Sequence, residues 1–356
     1  HANVWSPMTV DTARNLLYAN VSAASNDWYG GRRKGDDLYS ESLVCLDATT
    51  GALRWHFQYV HHGLWDYETA APPMLVTVPR GGRIVEAVAV PGKTGFLYLF
   101  DRLTGEPLWP ITERPVPPSD VPGERASVTQ PVPSWPPPFA RQGFSTDDVV
   151  DFTPGIRDAA LDQIRKFRVG PLFTPPSVEG TIALPGWIGG AGWGGAAFDT
   201  ERGVLYVMAT NNPVLARLVR PDSTGPGRNS EWVLEQTPRP DRVLDLNLMK
   251  RHRYLWFRKV PEPIPIVKPP YGTIASYDLE DGILRWNLPV GDTPRVRFHP
   301  QLAALHLPPL GVAGPSGPLA TAGGLLFITG GGHSAMMRLA EPHDSETWAR
   351  RTNRPV

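Results

Sequence analysis

The sequence predicts an all-β fold, and three observations carry that expectation. Gly (35) and Pro (40) together make up about a fifth of the 356 residues, against a usual share near ~12%, so the chain is punctuated by turns and poor in long helices. Apolar runs of strand character recur along it, bounded by Asp, Asn and Gly clusters. A nine-residue frame also occurs three times: DATTGALRW at 47–55, DRLTGEPLW at 101–109 and DLEDGILRW at 278–286. Each copy has Asp first, Gly fifth and Trp ninth, and each follows an apolar stretch (SLVCL, GFLYLF, TIASY). The frame reads as strand, tight turn, strand. Asp bonds local backbone, Gly supplies a positive φ, and Trp returns on the next strand to pack between layers. The first two copies stand about one four-stranded blade apart, which points to a β-propeller. A β-sandwich with three chance hairpins is the alternative, and a frame kept three times weighs against it.

Other segments justify the class in turn. Residues 3–22 pair two alternating runs around Asp11 to Asn15. Residues 110–138 hold a dense proline tract ending in WPPP, which favours an extended surface loop over any regular element. Residues 154–169 are the one convincing helix, with Pro154 early and Ala160, Leu161, Ile164 and Phe167 or Arg168 at helical spacing. Residues 192–210 form a further strand–turn–strand unit around Asp199 to Gly203, and 317–332 another around Gly323 and Gly324. Residues 211–270, rich in Arg and Pro, take no assignment. The whole chain reads as one domain, 1–356, with a loop and helix insertion at about 110–170.

Composition excludes several classes. Thirty-five basic residues balance 35 acidic ones, which argues against a broad nucleic-acid or anionic-membrane surface. At 41% hydrophobic and 10% aromatic, the chain can bury a sizeable core. A single cysteine, Cys45, excludes an internal disulfide framework and multi-cysteine metal sites. No apolar run reaches the ~18 residues that span a bilayer. Without Met or a signal-like stretch, the start at His1 reads as a mature end or a cut. A dinucleotide enzyme lacks its Gly-rich phosphate loop between strand and helix.

The densest chemistry lies in WHFQYVHHGLWDYE, Trp55 to Glu68. His61, His62, Asp66 and Glu68 fall within eight residues, flanked by Trp65 and Tyr67. A metal cluster is one reading, although adjacent side chains on a strand face opposite ways. A general base at Asp66, beside aromatics that raise its pKa, is another. A polar blade edge with a buried Trp is the third.

The string VHHGLWDYE, preceded by WHFQ and followed by Lys93 in PGKTGFLYLFDRLTGE, resembles the quinoprotein dehydrogenases. These are eight-bladed propellers that bind pyrroloquinoline quinone, and the branch most similar is the membrane-type glucose dehydrogenases. NVWSPMTVD, SNDWYGG, FTPPSVEGTIALPGWIGGAGWGGAAFD and GPSGPLATAGGLLFITG resemble further family segments in the same order. The resemblance implies roles. Asp66 would take the substrate hydroxyl proton as hydride passes to the quinone. Lys93 would donate to the quinone oxygens. Trp5 would form a flat floor under the cofactor, and Trp193 joins the cofactor-binding set. Ser25 would offer an oxygen to Ca²⁺ or Mg²⁺, and His61 and His62 would shape the substrate pocket.

The resemblance further implies a sugar or alcohol substrate, and a membrane quinone or cytochrome as electron acceptor. It also implies a periplasmic location, with an anchoring segment upstream as an option. A non-catalytic propeller platform is the rival reading.

The chain departs from the family pattern at several points. Gly63 stands where relatives usually carry Asp, and Gly192 where some carry a cofactor-contacting Asn. Residues 333–351 are a degraded closing motif, with Trp348 as its remnant. At about 50 residues per blade, eight blades need roughly 400. The expectation is therefore a partial chain of roughly four to five blades.

Overall fold

The structure is a computed structural model that describes residues 2–221, 230–235, 264–314, 317–330 and 333–338. Strands β1 (Thr9–Asp11), β2 (Leu16–Val21), β3 (Ser42–Asp47) and β4 (Leu53–Gln58) form an antiparallel four-stranded meander. A second sheet holds β5 (Met74–Arg80), β6 (Arg83–Pro91) and β7 (Leu97–Asp101). A bridge between Phe100 and Pro107 gives it a vestigial fourth strand. Then β8 (Ile111–Pro115) pairs with β9 (Thr129–Pro133).

Next in the chain come β10 (Thr181–Ala183), β11 (Ala196–Asp199), β12 (Val204–Thr210), β13 (Val214–Ala216), β14 (Leu218–Val219) and β15 (Val233–Leu234). They are followed by β16 (Gly272–Asp278) and β17 (Leu284–Pro289). The third meander runs β11-β12-β16-β17, so its middle connection carries the long 211–271 excursion; β10 pairs with β13, and β14 with β15. A fourth sheet holds β18 (Leu319–Ala320), β19 (Leu325–Gly330) and β20 (His333–Arg338). Four blade-like sheets thus stand among the described residues, within the expected range. Trp348 lies outside the described residues.

Period-two alternation explains how the blades stack. One face of β6 and β7 (Val88, Val90, Tyr98, Phe100) packs on Tyr18, Cys45 and Trp55 of the first meander. The other face (Ala87, Ala89, Leu97, Leu99) packs on Leu205, Val207, Ala275 and Tyr277 of the third. That third meander turns Tyr206, Met208 and Ile274 toward Leu326 and Ile328 of the fourth. Each sheet between neighbours is therefore buried on both sides, which is why its strands read as nearly continuous apolar runs.

The repeated frame builds the turns as expected. Asp47 Oδ1 accepts from the Thr49 and Thr50 amides (3.1 and 2.9 Å), and Asp101 Oδ1 from the Leu103 and Thr104 amides (both 2.9 Å). Gly51, Gly105 and Gly282 all lie at φ +74. The Trp of one copy then lies on the turn of the next. Trp55 covers Gly105, where a Cβ would come within 2.6 Å of its ring, and its Nε1 donates to the Arg102 carbonyl (3.3 Å). At Gly282 the cover is shared between Trp109 and Trp135, and Trp135 Nε1 donates to the Asp281 carbonyl (2.7 Å).

Gly105→Ala is accordingly expected to cost roughly 1–3 kcal/mol, strain plus overpacking. Gly203→Ala, equally left-handed (φ +66) but with nothing within 4 Å, should cost less. Thermal melts of the two variants separate the indole clash from the backbone term; equal losses would remove Trp55 from the explanation.

Two expectations change. The proline tract is not loop alone, because β8 and β9 form a ribbon within it. Pro131 and Pro133 sit two apart on one strand of a two-stranded pair, where alternate nitrogens face the free edge and need no partner. The helix runs only from Pro154 to Ile164 (α1), with Thr153 Oγ1 accepting from the Ile156 amide (3.2 Å). Arg168 instead bridges to Thr181 as extended chain, so Phe167 and Arg168 lie past the helix end. A last short helix, α2, spans Pro294–Arg297.

Candidate active site

The polar centre forms where the chain leaves β4 and meets the β6–β7 turn. Lys93 sits in that turn and is buried. Its stem lies against Gly189, where any Cβ would overlap it. Its ammonium donates to the Asp66 carbonyl (2.8 Å) and lies 3.1 Å from Glu68 Oε1 and 3.5 Å from Asp66 Oδ2. An ammonium has three donors. On another side, Nζ stands 6.0 Å from the Trp5 ring centroid. Trp5 packs edge-on to Trp193 at 5.3 Å between centroids, and both rings stay exposed, at 41% and 66%. The structure thus brings together Asp66, Lys93, Trp5 and Trp193.

Glu41 (φ 47), His62 (φ 47) and Asp66 (φ 58) are among the residues other than glycine that take left-handed backbone. Each such conformation costs roughly 1–3 kcal/mol and marks a segment that its surroundings over-determine. For Asp66 the effect is to turn its carbonyl and its carboxylate toward the same ammonium. Burial pushes the Asp66 carboxyl well above the usual range, Lys93 opposes that, and a shared hydrogen bond and charge repulsion with Glu68 add to it. The Asp66 carboxyl therefore holds its proton more tightly than it would in water.

Glu41 is fully buried. Its Oε1 accepts from the Tyr67 amide (3.1 Å), and its carboxyl is pushed up to about 8, first by burial and then by Glu68.

The two histidines turn elsewhere. His61 Nδ1 meets Gln58 Oε1 (2.7 Å) and Nε2 meets Glu113 (3.0 Å). His62 Nδ1 meets the Gly35 carbonyl (2.8 Å) and Nε2 meets Glu124 (3.2 Å). Neither ring shares a partner with Lys93 among the described residues. Both instead pin the 110–138 tract to the first meander.

Burial disfavours the His62 imidazolium, but Glu124, the Gly35 carbonyl and Asp37 outweigh that and raise its pKa above the ordinary 6.5. Its ion pair therefore stabilises fully below that ordinary value, and the gain is lost as pH rises through the raised one. His62→Gln is expected to cost about 1.5–3 kcal/mol at pH 6 and less at pH 9, read from denaturant midpoints. A penalty that does not change with pH would exclude the charged pair.

Ser25 lines a cavity of about 490 Å³ shared with Arg33, Lys34, Asp36, Asp37 and Tyr39. Cations make up part of that wall. Among the described residues, no group of three His, Cys, Asp or Glu side chains gathers to hold a metal.

Sequence reasoning missed Glu41 and Glu124. Glu41 stands in an ordinary strand lead-in, LYSESLVCL, with no local signal. Glu124 is 62 residues from the histidine it pairs with.

Comparison with known proteins gives a consistent picture. The family model "Glucose/ethanol/alcohol dehydrogenase, beta-propeller domain", a pyrroloquinoline quinone (PQQ) family, matches residues 1–353. The chain is 32% identical over 342 residues to a probable quinate dehydrogenase (quinone) of Xanthomonas campestris pv. juglandis, covering 92% of this chain and 41% of that one. It is 32% identical over 343 residues to a quinoprotein glucose dehydrogenase of Gluconobacter oxydans, with the same coverages. It is 29% identical over 360 residues to the quinate/shikimate dehydrogenase (quinone) of Acinetobacter baylyi, covering 98% and 43%. The chain therefore spans about two fifths of the length of these relatives. Among solved structures, the quinohemoprotein alcohol dehydrogenase of Comamonas testosteroni superposes with a TM-score of 0.56 at 20% identity, covering 95% of this chain and 39% of that one. That likeness concerns the fold.

Proposed function

The chain belongs to the glucose/ethanol/alcohol dehydrogenase β-propeller family of pyrroloquinoline quinone proteins, and from that premise we propose that it carries the base and the cofactor floor of a dehydrogenase acting on a sugar or alcohol hydroxyl. One observation supports this most: a buried ammonium, Lys93, set between two carboxylates and an exposed Trp pair. The residues fit a planar, anionic, electron-accepting group. Trp5 offers an open indole face for stacking, and Lys93 offers positive charge and a donor where negative charge would grow. Pyrroloquinoline quinone, when bound, supplies the hydride acceptor.

The protein's own part is then positional and protolytic. Asp66, partly exposed where Lys93 and Glu68 are buried, accepts the hydroxyl proton on its carboxylate. Glu68 keeps Lys93 oriented while that proton arrives. Lys93 lowers the cost of the extra charge on either side of it. Trp193, set edge-on to Trp5, limits the ways a ring can lie there.

Electrons would leave to a membrane quinone or a cytochrome, in line with the acceptors in the relatives' names. A periplasmic setting belongs to the same proposal. No helix of the described residues is long and apolar enough to cross a membrane.

The experiment is a titration with pyrroloquinoline quinone, with and without Ca²⁺, following tryptophan emission. Saturable quenching that weakens in Trp5→Ala supports the reading. A folded protein that shows no quenching with either addition would sink it and favour a non-catalytic propeller platform.

A further inference from the structure

Glu41 has no exposed surface, and nothing in the proposed chemistry uses it. Its left-handed backbone is pinned on both sides: its amide donates to the Ser22 carbonyl (3.0 Å) and its carbonyl accepts from the Tyr59 amide (2.7 Å). The side chain is thereby driven under the 63–68 segment. There Oε1 takes the Tyr67 amide (3.1 Å), the N–H of the residue that separates Asp66 from Glu68. Oε2 fills the space beside Gly63, where any Cβ would overlap it. Glu41 Oε2 and Glu68 Oε2 both lack a hydrogen-bond partner. An unused, buried carboxyl that grips the backbone between two site acids, at a spot cleared by a glycine, is a built feature.

We propose that Glu41 is a positioning residue for this site: filling the space beside Gly63, its carboxyl grips the Tyr67 amide and so fixes Asp66 and Glu68 against Lys93. It acts through those two acids and touches neither substrate nor cofactor. Its charge follows from what faces it. Burial and Glu68 oppose its anion, while Arg33, the Tyr67 amide and Lys93 favour it, and the balance leaves a neutral acid up to about pH 8. Above that, a further negative charge appears near Lys93 with no new cation to meet it. The pocket then attracts an anionic ligand less. This consequence rests on the cofactor reading given above.

The test uses the whole protein, pyrroloquinoline quinone as probe, and affinities measured at pH 6, 7 and 9 for wild type, Glu41→Gln and Glu41→Ala. Gln keeps an acceptor for the Tyr67 amide and never ionises. It should bind at pH 7 within about threefold of wild type and lose less affinity toward pH 9. Ala leaves that amide buried and unpaired, and should bind roughly tenfold or more weakly at every pH. Gln and wild type sharing one pH profile, or Ala binding as wild type, would overturn the proposal.

A second measurement does not depend on the cofactor. Gly63→Ala should lower the melting temperature sharply in wild type and much less in the Glu41→Ala background. Equal losses in both backgrounds would overturn the proposal even if no quinone binds. A wild type that binds no quinone, with the Gly63 effect rescued, would instead sink the cofactor reading alone.

Discussion

Asn at position 66 is expected to lower turnover of the quinone-loaded enzyme by roughly 10²–10⁴-fold, the contribution of a positioned base, while quinone affinity changes little. The substitution is a clean one for this backbone. Asp66 sits at φ 58, a conformation that Asn tolerates better than other residues of its size, so the turn and its carbonyl bond to Lys93 should survive. What disappears is the oxygen that can take a proton. The wild-type rate should also depend on pH in a particular direction. Burial and Glu68 raise the Asp66 carboxyl well above the ordinary range, so its ionised fraction, and with it turnover, increases as pH rises above neutrality. The Asn variant should show a low rate with little of that rise. Steady-state kcat measured from pH 6 to 9, beside quinone titration at each pH, decides the matter. An Asn variant within threefold of wild type would remove Asp66 from the role of base.

The parts of this fold that are local in sequence were legible there. Asp47, Gly51 and Trp55 lie within nine residues; the roles of Asp47 and Gly51 depend on amides two and three positions on and on a local φ angle, while Trp55 is placed by the strand that returns from the turn. The same holds for the hairpin at Gly323 and Gly324 and for the start of α1 at Thr153. What the sequence could not show is set by separation. Trp135, inside a tract that reads as loop, covers a turn 146 residues away. Glu124, 62 residues on, meets the His62 ring, a partner that adjacency to Asp66 does not suggest. Family resemblance singled out Asp66, Lys93, Trp5 and Trp193, and the fold does gather them. It said nothing of Glu41, because the reason for that residue is the space Gly63 leaves, and two positions 22 apart carry no pattern until the backbone joins them. His61 and His62 show the converse: beside a carboxylate in sequence, their rings meet Glu113 and Glu124, more than fifty residues away.

Lys93→Met is expected to have the largest effect of any single change, because stability and binding fall together. Lys93 is the one cation in contact with Glu68 and Asp66 among the described residues. Met matches the length of the stem against Gly189 but leaves two carboxyls and the Asp66 carbonyl facing apolar surface. Removing one partner of a buried charge group costs about 3–5 kcal/mol, a substantial part of what most domains have to lose. Quinone binding should disappear as well, since the remaining charge near Trp5 is negative. A companion variant separates these two effects. Glu68→Gln in the Lys93→Met background removes the uncompensated anion, so much of the lost stability should return, measured as the urea midpoint. Binding should not return, because the positive charge is still missing. Recovery of both would mean that Lys93 serves the fold alone. Recovery of neither would mean that its contact with the Asp66 carbonyl, and the left-handed turn that presents it, matters more than the ion pair.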